Sequence, residues 1–142
     1  MKLSEIINLL SESFDIPYLQ PDAKDRYRLI FDQLEVYCFE ASGKFHWYAN
    51  VCELPQENHE RQAMIQVYMQ LALAYLKRYP VSLTIEEGHL GIFYQLNNRN
   101  LDYPRFEVIL EEFLNALEFF QQYDQVEAPQ AVAVQAPMML RP

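Results

Sequence analysis

The sequence predicts an α+β fold, one antiparallel sheet with the element order α-β-β-β-α-β-β-α and the helices packed on one side. Three observations carry that reading. Residues 27–54 and 81–96 alternate apolar and polar side chains with the period of half-buried strands, and turn residues interrupt them at Asp32-Gln33, Ser42-Gly43 and Glu87-Gly88. Residues 4–14 and 102–123 instead repeat their apolar positions at helical spacing, and 58–79 is a nearly uniformly apolar run with helix-capping residues at its ends. A chain of 142 residues is long enough to bury about two-thirds of its unfolded surface in a single domain without covalent staples.

In the first helix Leu3, Ile6, Ile7, Leu10 and Phe14 form one stripe, with Glu5, Asn8, Ser11 and Glu12 outside it and Ser4 as the cap. Ile16 precedes Pro17 and is biased toward extended backbone, so the polar segment through Asp25 reads as a connection into strands. Three strands follow. A two- or four-residue turn centred on Ser42-Gly43 sets Cys38 opposite Trp47, Val36 opposite Ala49 and Leu34 opposite Val51, which gives a continuous apolar face. The other face then carries Glu35, Tyr37, Phe39, His46, Tyr48 and Asn50. A three-residue loop would mix the two faces and is rejected.

The helix at 58–79 is too apolar to lie on a solvated domain. Between Met64 and Leu76 the polar positions are Gln66 and Gln70, so no clear polar face remains. One side can rest on the chain's own sheet. The other calls for a second copy of the chain, which predicts a homodimer through this helix with Tyr68, Leu71, Ala72, Tyr75 and Leu76 buried. The competing reading is a monomer whose terminal helices fold over it. Asn58 is the expected cap, Lys77 and Arg78 suit the carbonyl end, and Pro80 forbids continuation.

Beyond it, a hairpin over Glu87-Gly88 puts Val81, Leu83, Ile85, Leu90, Ile92, Tyr94 and Leu96 on one face and Ser82, Thr84, His89, Gly91 and Gln95 on the other. Asp102 then caps a last helix with Pro104 in its first turn. Phe106, Ile109, Leu110, Phe113, Leu117 and Phe120 make its stripe. From Gln125 the text turns to Ala, Gln, Pro and Val, so residues 1–124 are expected to form the domain and 125–142 a flexible tail.

The net charge of −9, with Lys and Arg scattered, argues against nucleic acid, whose attraction for a protein rests on clustered cations. Two cysteines, no apolar leader and no run long enough to span a bilayer predict a soluble intracellular protein without membrane insertion. Three glycines leave no phosphate-cradling loop. Cys38 and His46 fall on opposite sheet faces, so with Cys52 they make no metal site. Glu86 and Glu87 diverge at a hairpin tip, where nothing shifts a carboxyl toward acid–base work. No cofactor, metal or catalytic residue is therefore expected.

Three segments carry a family resemblance: LEVYCFEASGKFHWYANVCELP, MIQVYMQLALAYLKRYPVSLTIEEGHLGIFYQL, and Leu101-Asp-Tyr-Pro-Arg-Phe. Together with the element order they resemble the class I chaperones of type III secretion, the Tir chaperone family, across residues 1–124. The resemblance implies a homodimer that binds the amino-terminal region of a secreted effector in extended form and keeps it soluble, with the secretion-system ATPase as a candidate second partner. An acidic regulatory or immunity-type binder on the same fold is the alternative. The inner faces of both hairpins are already needed for the core, so the apolar groups left for a client are Ile7, Leu10 and Phe14 on the first helix and Tyr37, Phe39, His46 and Tyr48 on the outer sheet face.

Overall fold

The computed structural model describes residues 2–16 and 19–133, with backbone alone for Asn100 and residues 124–133. In chain order the elements are α1 (Leu3–Ser13), β1 (Tyr27–Phe31), β2 (Leu34–Ala41), β3 (Lys44–Glu53), α2 (Asn58–Ala74), β4 (Ser82–Glu86), β5 (His89–Asn97), a single 3-10 turn at Asn98–Asn100, and α3 (Tyr103–Ala133). This is the α-β-β-β-α-β-β-α order expected. The five strands form one antiparallel sheet, β1-β2-β3-β5-β4, so the second hairpin joins through its longer strand and leaves β1 and β4 as the free edges.

Register follows from the turns. Ser42 and Gly43 both have positive φ, 54° and 73°, as do Glu87 and Gly88 at 50° and 79°. Two-residue turns of that handedness match the twist of the flanking strands. Cys38 accordingly opposes Trp47, Tyr37 opposes Tyr48 and Phe39 opposes His46. The β3–β5 ladder shifts register between Asn50 and Cys52.

The inner face and the helices share one core around Phe45, Trp47, Leu90 and Ile92 from the sheet, Ile6, Ile7 and Leu10 from α1, and Phe106, Leu117 and Phe120 from α3. Each such side chain contributes about 1.5–3 kcal/mol by leaving water. Trp47 lies against Tyr94 and Phe106, with centroids 5.8 and 5.5 Å away. Glu40 at the end of β2 accepts from the Leu3 amide at the start of α1 and from Asn98 Nδ2 at 3.0 Å, tying helix, strand and 3-10 turn together.

Several details differ from the sequence reading. Ser11 is buried rather than solvated, because its hydroxyl donates back to the Ile7 carbonyl at 3.0 Å and needs no water. Lys2, not Ser4, holds the cap position of α1, and its amide donates to Glu5 Oε1. Glu57, not Asn58, caps α2 by accepting from the His59 and Glu60 amides at 2.8 and 3.1 Å. α2 ends at Ala74, before Lys77 and Arg78, which therefore lie outside its last turn. The physical reason is tertiary: Tyr75 and Tyr79 both settle on Phe119 of α3, at 4.8 and 4.9 Å, and the backbone between them closes into tight turns toward Pro80. Finally, the backbone of α3 runs on to Ala133, through Pro129. The remainder of that proposed tail, 134–142, lies outside the described residues.

Candidate protein-binding surfaces

The outer sheet face is built from rows of cross-strand neighbours. One row runs Arg28, Tyr37, Tyr48, Phe93 and Ser82 across all five strands. A second runs Phe39, His46 and Gln95. The expected aromatics are thus brought together, and Phe93, which the sequence reading left out, joins them by the same period-two rule.

Tyr37, Phe39, His46 and Tyr48 are half-buried, and each has an internal partner. The Arg26 guanidinium sits 4.7 Å above the Tyr37 ring, while the Tyr37 hydroxyl donates to Glu35 Oε1 at 3.1 Å. Glu35 in turn pairs with Arg28. Phe39 and His46 stack with centroids 4.6 Å apart, 7° from parallel. Tyr48 leans over Gly91 and donates to Asn50 Oδ1 at 2.6 Å. Partial burial, then the neighbouring Glu35, raises the Tyr37 pKa; partial burial, then Glu86, raises that of Tyr48. Both phenols stay neutral hydrogen-bond donors at physiological pH.

The first helix offers a different surface from the one expected. Ile7 and Leu10 are wholly buried, since the stripe that the sequence marks as apolar is consumed by the sheet and α3. Phe14 is 51% exposed and rests edge-on against Phe31, with centroids 5.9 Å apart. Leu9 and Ile16 are exposed as well, and Ile30, 55% exposed on the free-edge strand β1, alternates with Leu29 and Phe31 and so belongs to the outer sheet face opposite Glu35. The free β1 edge therefore has an exposed apolar residue on each side of the sheet.

A third surface runs along α2. Tyr68 points into its own chain, against Phe120 and Tyr123, and Leu71 and Ala72 are half-buried against the core. Tyr75 and Leu76 are exposed. So are Met69 and Leu73, at 53% and 72%, neither of which the sequence reading singled out. The signal was available: Ile65, Met69, Leu73 and Leu76 recur at i, i+4, i+8 and i+11.

Among the described residues no group of three or more His, Cys, Asp or Glu side chains is placed to hold a metal, and no helix is long and apolar enough to cross a membrane. Burial pushes the Cys38 thiol far above its ordinary value, so it stays an unreactive thiol. Exposed apolar side chains beside a free strand are a surface that another polypeptide can occupy. The chain belongs to the Tir chaperone protein (CesT) family, whose model matches residues 5–121.

Solved structures share this fold. The ExsC–ExsE complex contains a chain of TM-score 0.67 and 19% identity, covering 86% of this chain and 96% of that one. The HopA1–SchA chaperone–effector complex gives 0.63 at 15% identity over 83% and 91%. The Yersinia pestis type III secretion chaperone SycH, in complex with a fragment of YscM2, gives 0.59 at 10% identity over 84% and 99%. No curated protein matches the chain.

Proposed function

We propose that the protein is a type III secretion chaperone of the bacterial cytoplasm, which binds the amino-terminal region of a secreted effector in extended form and holds it soluble. The observation that carries this is a free β1 edge with the exposed Phe14, resting on Phe31, on one face of the sheet and the exposed Ile30 on the other. An extended client can add a strand to such an edge while its alternate side chains meet these two apolar groups. Tyr37, Phe39, His46 and Tyr48 flank the same end of the sheet and extend the surface. Ile7 and Leu10 act from inside, by setting the position of α1. Family membership and the chaperone–effector complexes on this fold support the reading.

The working unit in this proposal is a homodimer joined through α2. The exposed Met69 and Leu73 on a helix already packed on one side, with the exposed Leu76 just beyond its end, support it, because a second copy would cover them symmetrically. The test is co-purification from the native cell with identification of the bound protein, followed by its rebinding to the purified chaperone. A secreted protein bound through its first segment is the expected result. Recovery of a folded, non-secreted partner bound through the α2 face would sink the proposal.

A further inference from the structure

Alternate residues of β1 face its open edge, and the register says which. Phe31 and Leu34 oppose one another across the two-residue turn Asp32-Gln33, so they form the closing hydrogen-bonded pair. In an antiparallel ladder such pairs alternate with non-hydrogen-bonded ones. Tyr27, Leu29 and Phe31 therefore direct their amides and carbonyls to β2, while Arg28 and Ile30 turn theirs to the open side. The β2–β3 ladder gives the same parity: Ala41 and Lys44 close its turn, which leaves Leu34, Val36 and Cys38 directed toward β1.

Side chains fix what this edge can recognise. Ile30 and Arg28 lie on the outer sheet face, opposite Glu35 and Tyr37. Ile30 is 55% exposed. The Arg28 side chain is 57% exposed, and Glu35 engages its Nε and Nη2 but not Nη1. Phe31 lies on the inner face with the half-exposed Phe14 against it. Charge is uneven as well: residues 22–28 carry Lys24, Arg26 and Arg28 against Asp22 and Asp25, three cations less two acids, a net +1 inside a chain of −9.

We propose that β1 reads its client strand as apolar, apolar, any residue, acidic, counted from the client's amino end, with Ile30 and Arg28 as the specificity-determining residues. This rests on the reading that an extended client pairs with β1. A client strand that continues the antiparallel sheet forms hydrogen-bonded pairs with Ile30 and Arg28. Its residue opposite Ile30 points to the outer face, and the one before it, opposite Phe31, points to the inner face beside Phe14. Both places are apolar, so the client needs two adjacent apolar residues, where an ordinary half-buried strand alternates. Two positions after the residue opposite Ile30 comes the one opposite Arg28, again on the outer face. A carboxylate there meets the guanidinium from the side away from Glu35. The residue between them lies opposite the buried Leu29, which makes no demand on it.

The test is a phage-displayed library, four randomised residues between Gly-Ser spacers, selected on the full-length protein. Selected peptides are expected to carry the apolar-apolar-any-acidic order. Synthesised and labelled, each should lose about tenfold in affinity when either apolar residue becomes Ser, and about threefold when the acid becomes its amide, the scale of an exposed ion pair. Arg28→Gln should abolish the acidic preference, and Arg28→Glu should turn it toward Lys or Arg. Arg28→Gln puts no like charge beside Glu35, so it decides even if Arg28→Glu fails to fold. Ile30→Pro removes an outward amide that β2 does not use, so it should fold and lose the peptides. Peptides that are lost with Ile30→Pro but alternate apolar with polar residues, or whose acidic preference survives Arg28→Gln, would overturn the rule and leave strand pairing standing. Peptides indifferent to Ile30→Pro, or a selection that yields none, would overturn pairing at β1 and the rule with it.

Discussion

A methyl group placed on Gly91 would lie 2.8 Å from the Ala49 carbonyl and 3.0 Å from the Tyr48 hydroxyl. Tyr48 can cover the backbone of β5 because Gly91 has no side chain, and the ring in turn shields a strand position that would otherwise be bare. Gly91→Ala is expected to destabilise the domain by about 1–3 kcal/mol, the range for overpacking. Removing the ring with Tyr48→Ala should relieve only part of that, since the Ala49 carbonyl is backbone and cannot swing away. A thermal double-mutant cycle checks it; full rescue would place the whole conflict at Tyr48.

Glu57 supplies a second, pH-dependent contribution at the start of α2. Hydrogen bonds from the His59 amide, then the Glu60 amide, hold its pKa below the ordinary 4.5. A carboxyl lowered on folding stabilises the native state above the unfolded value, and that stabilisation is lost as pH falls through the folded one. Glu57→Gln should therefore melt below the wild type at pH 7 and converge with it as the pH is taken well below the ordinary carboxylate range. A gap that persists undiminished in acid would mean that charge is not what the cap uses.

How much of this was legible follows from where each signal resides. The Ser42-Gly43 turn and the Cys38–Trp47 opposition could be read because register is a local property, set by turn length and alternation. The end of α2 could not: Pro80 looks like the terminator, yet contacts of Tyr75 and Tyr79 with Phe119, far away in sequence, end the helix earlier. Ile7 and Leu10 show a different limit. A helical stripe says that residues are covered, not whether the chain itself or a partner covers them, and here the chain's own sheet and α3 take both. Leu73 is the converse case, an apolar residue inside a uniformly apolar helix whose exposure depends on which side α3 occupies.

The homodimer is best tested where the isolated chain has least to lose. Leu73 is 72% exposed, so Leu73→Asp should leave the fold intact while placing an unpaired charge in the proposed interface. Light scattering should report monomers at concentrations where the wild type is dimeric. Leu71→Asp, on a half-buried residue, should lower the melting temperature as well. A Leu73→Asp protein that remains a dimer would move the interface off this face of α2.

Client binding separates the two apolar surfaces on the other side of the molecule. Phe14 has one aromatic neighbour, Phe31, and is half-exposed, whereas Tyr37 is held by Arg26, Glu35 and Tyr48. The structural roles should therefore divide: Phe14→Ala is expected to weaken effector binding by about 1–2 kcal/mol, roughly ten- to thirtyfold, with little change in melting temperature. Tyr37→Ala should cost stability first, because it removes a cation–π contact and leaves Glu35 with one donor fewer. Ile30→Lys provides an independent check at the edge itself, since a lysine there blunts strand addition without entering the core. Measuring affinity and melting temperature for all three variants gives the answer. If Tyr37→Ala loses binding while Phe14→Ala and Ile30→Lys keep it, the client lies on the sheet face and not along the β1 edge.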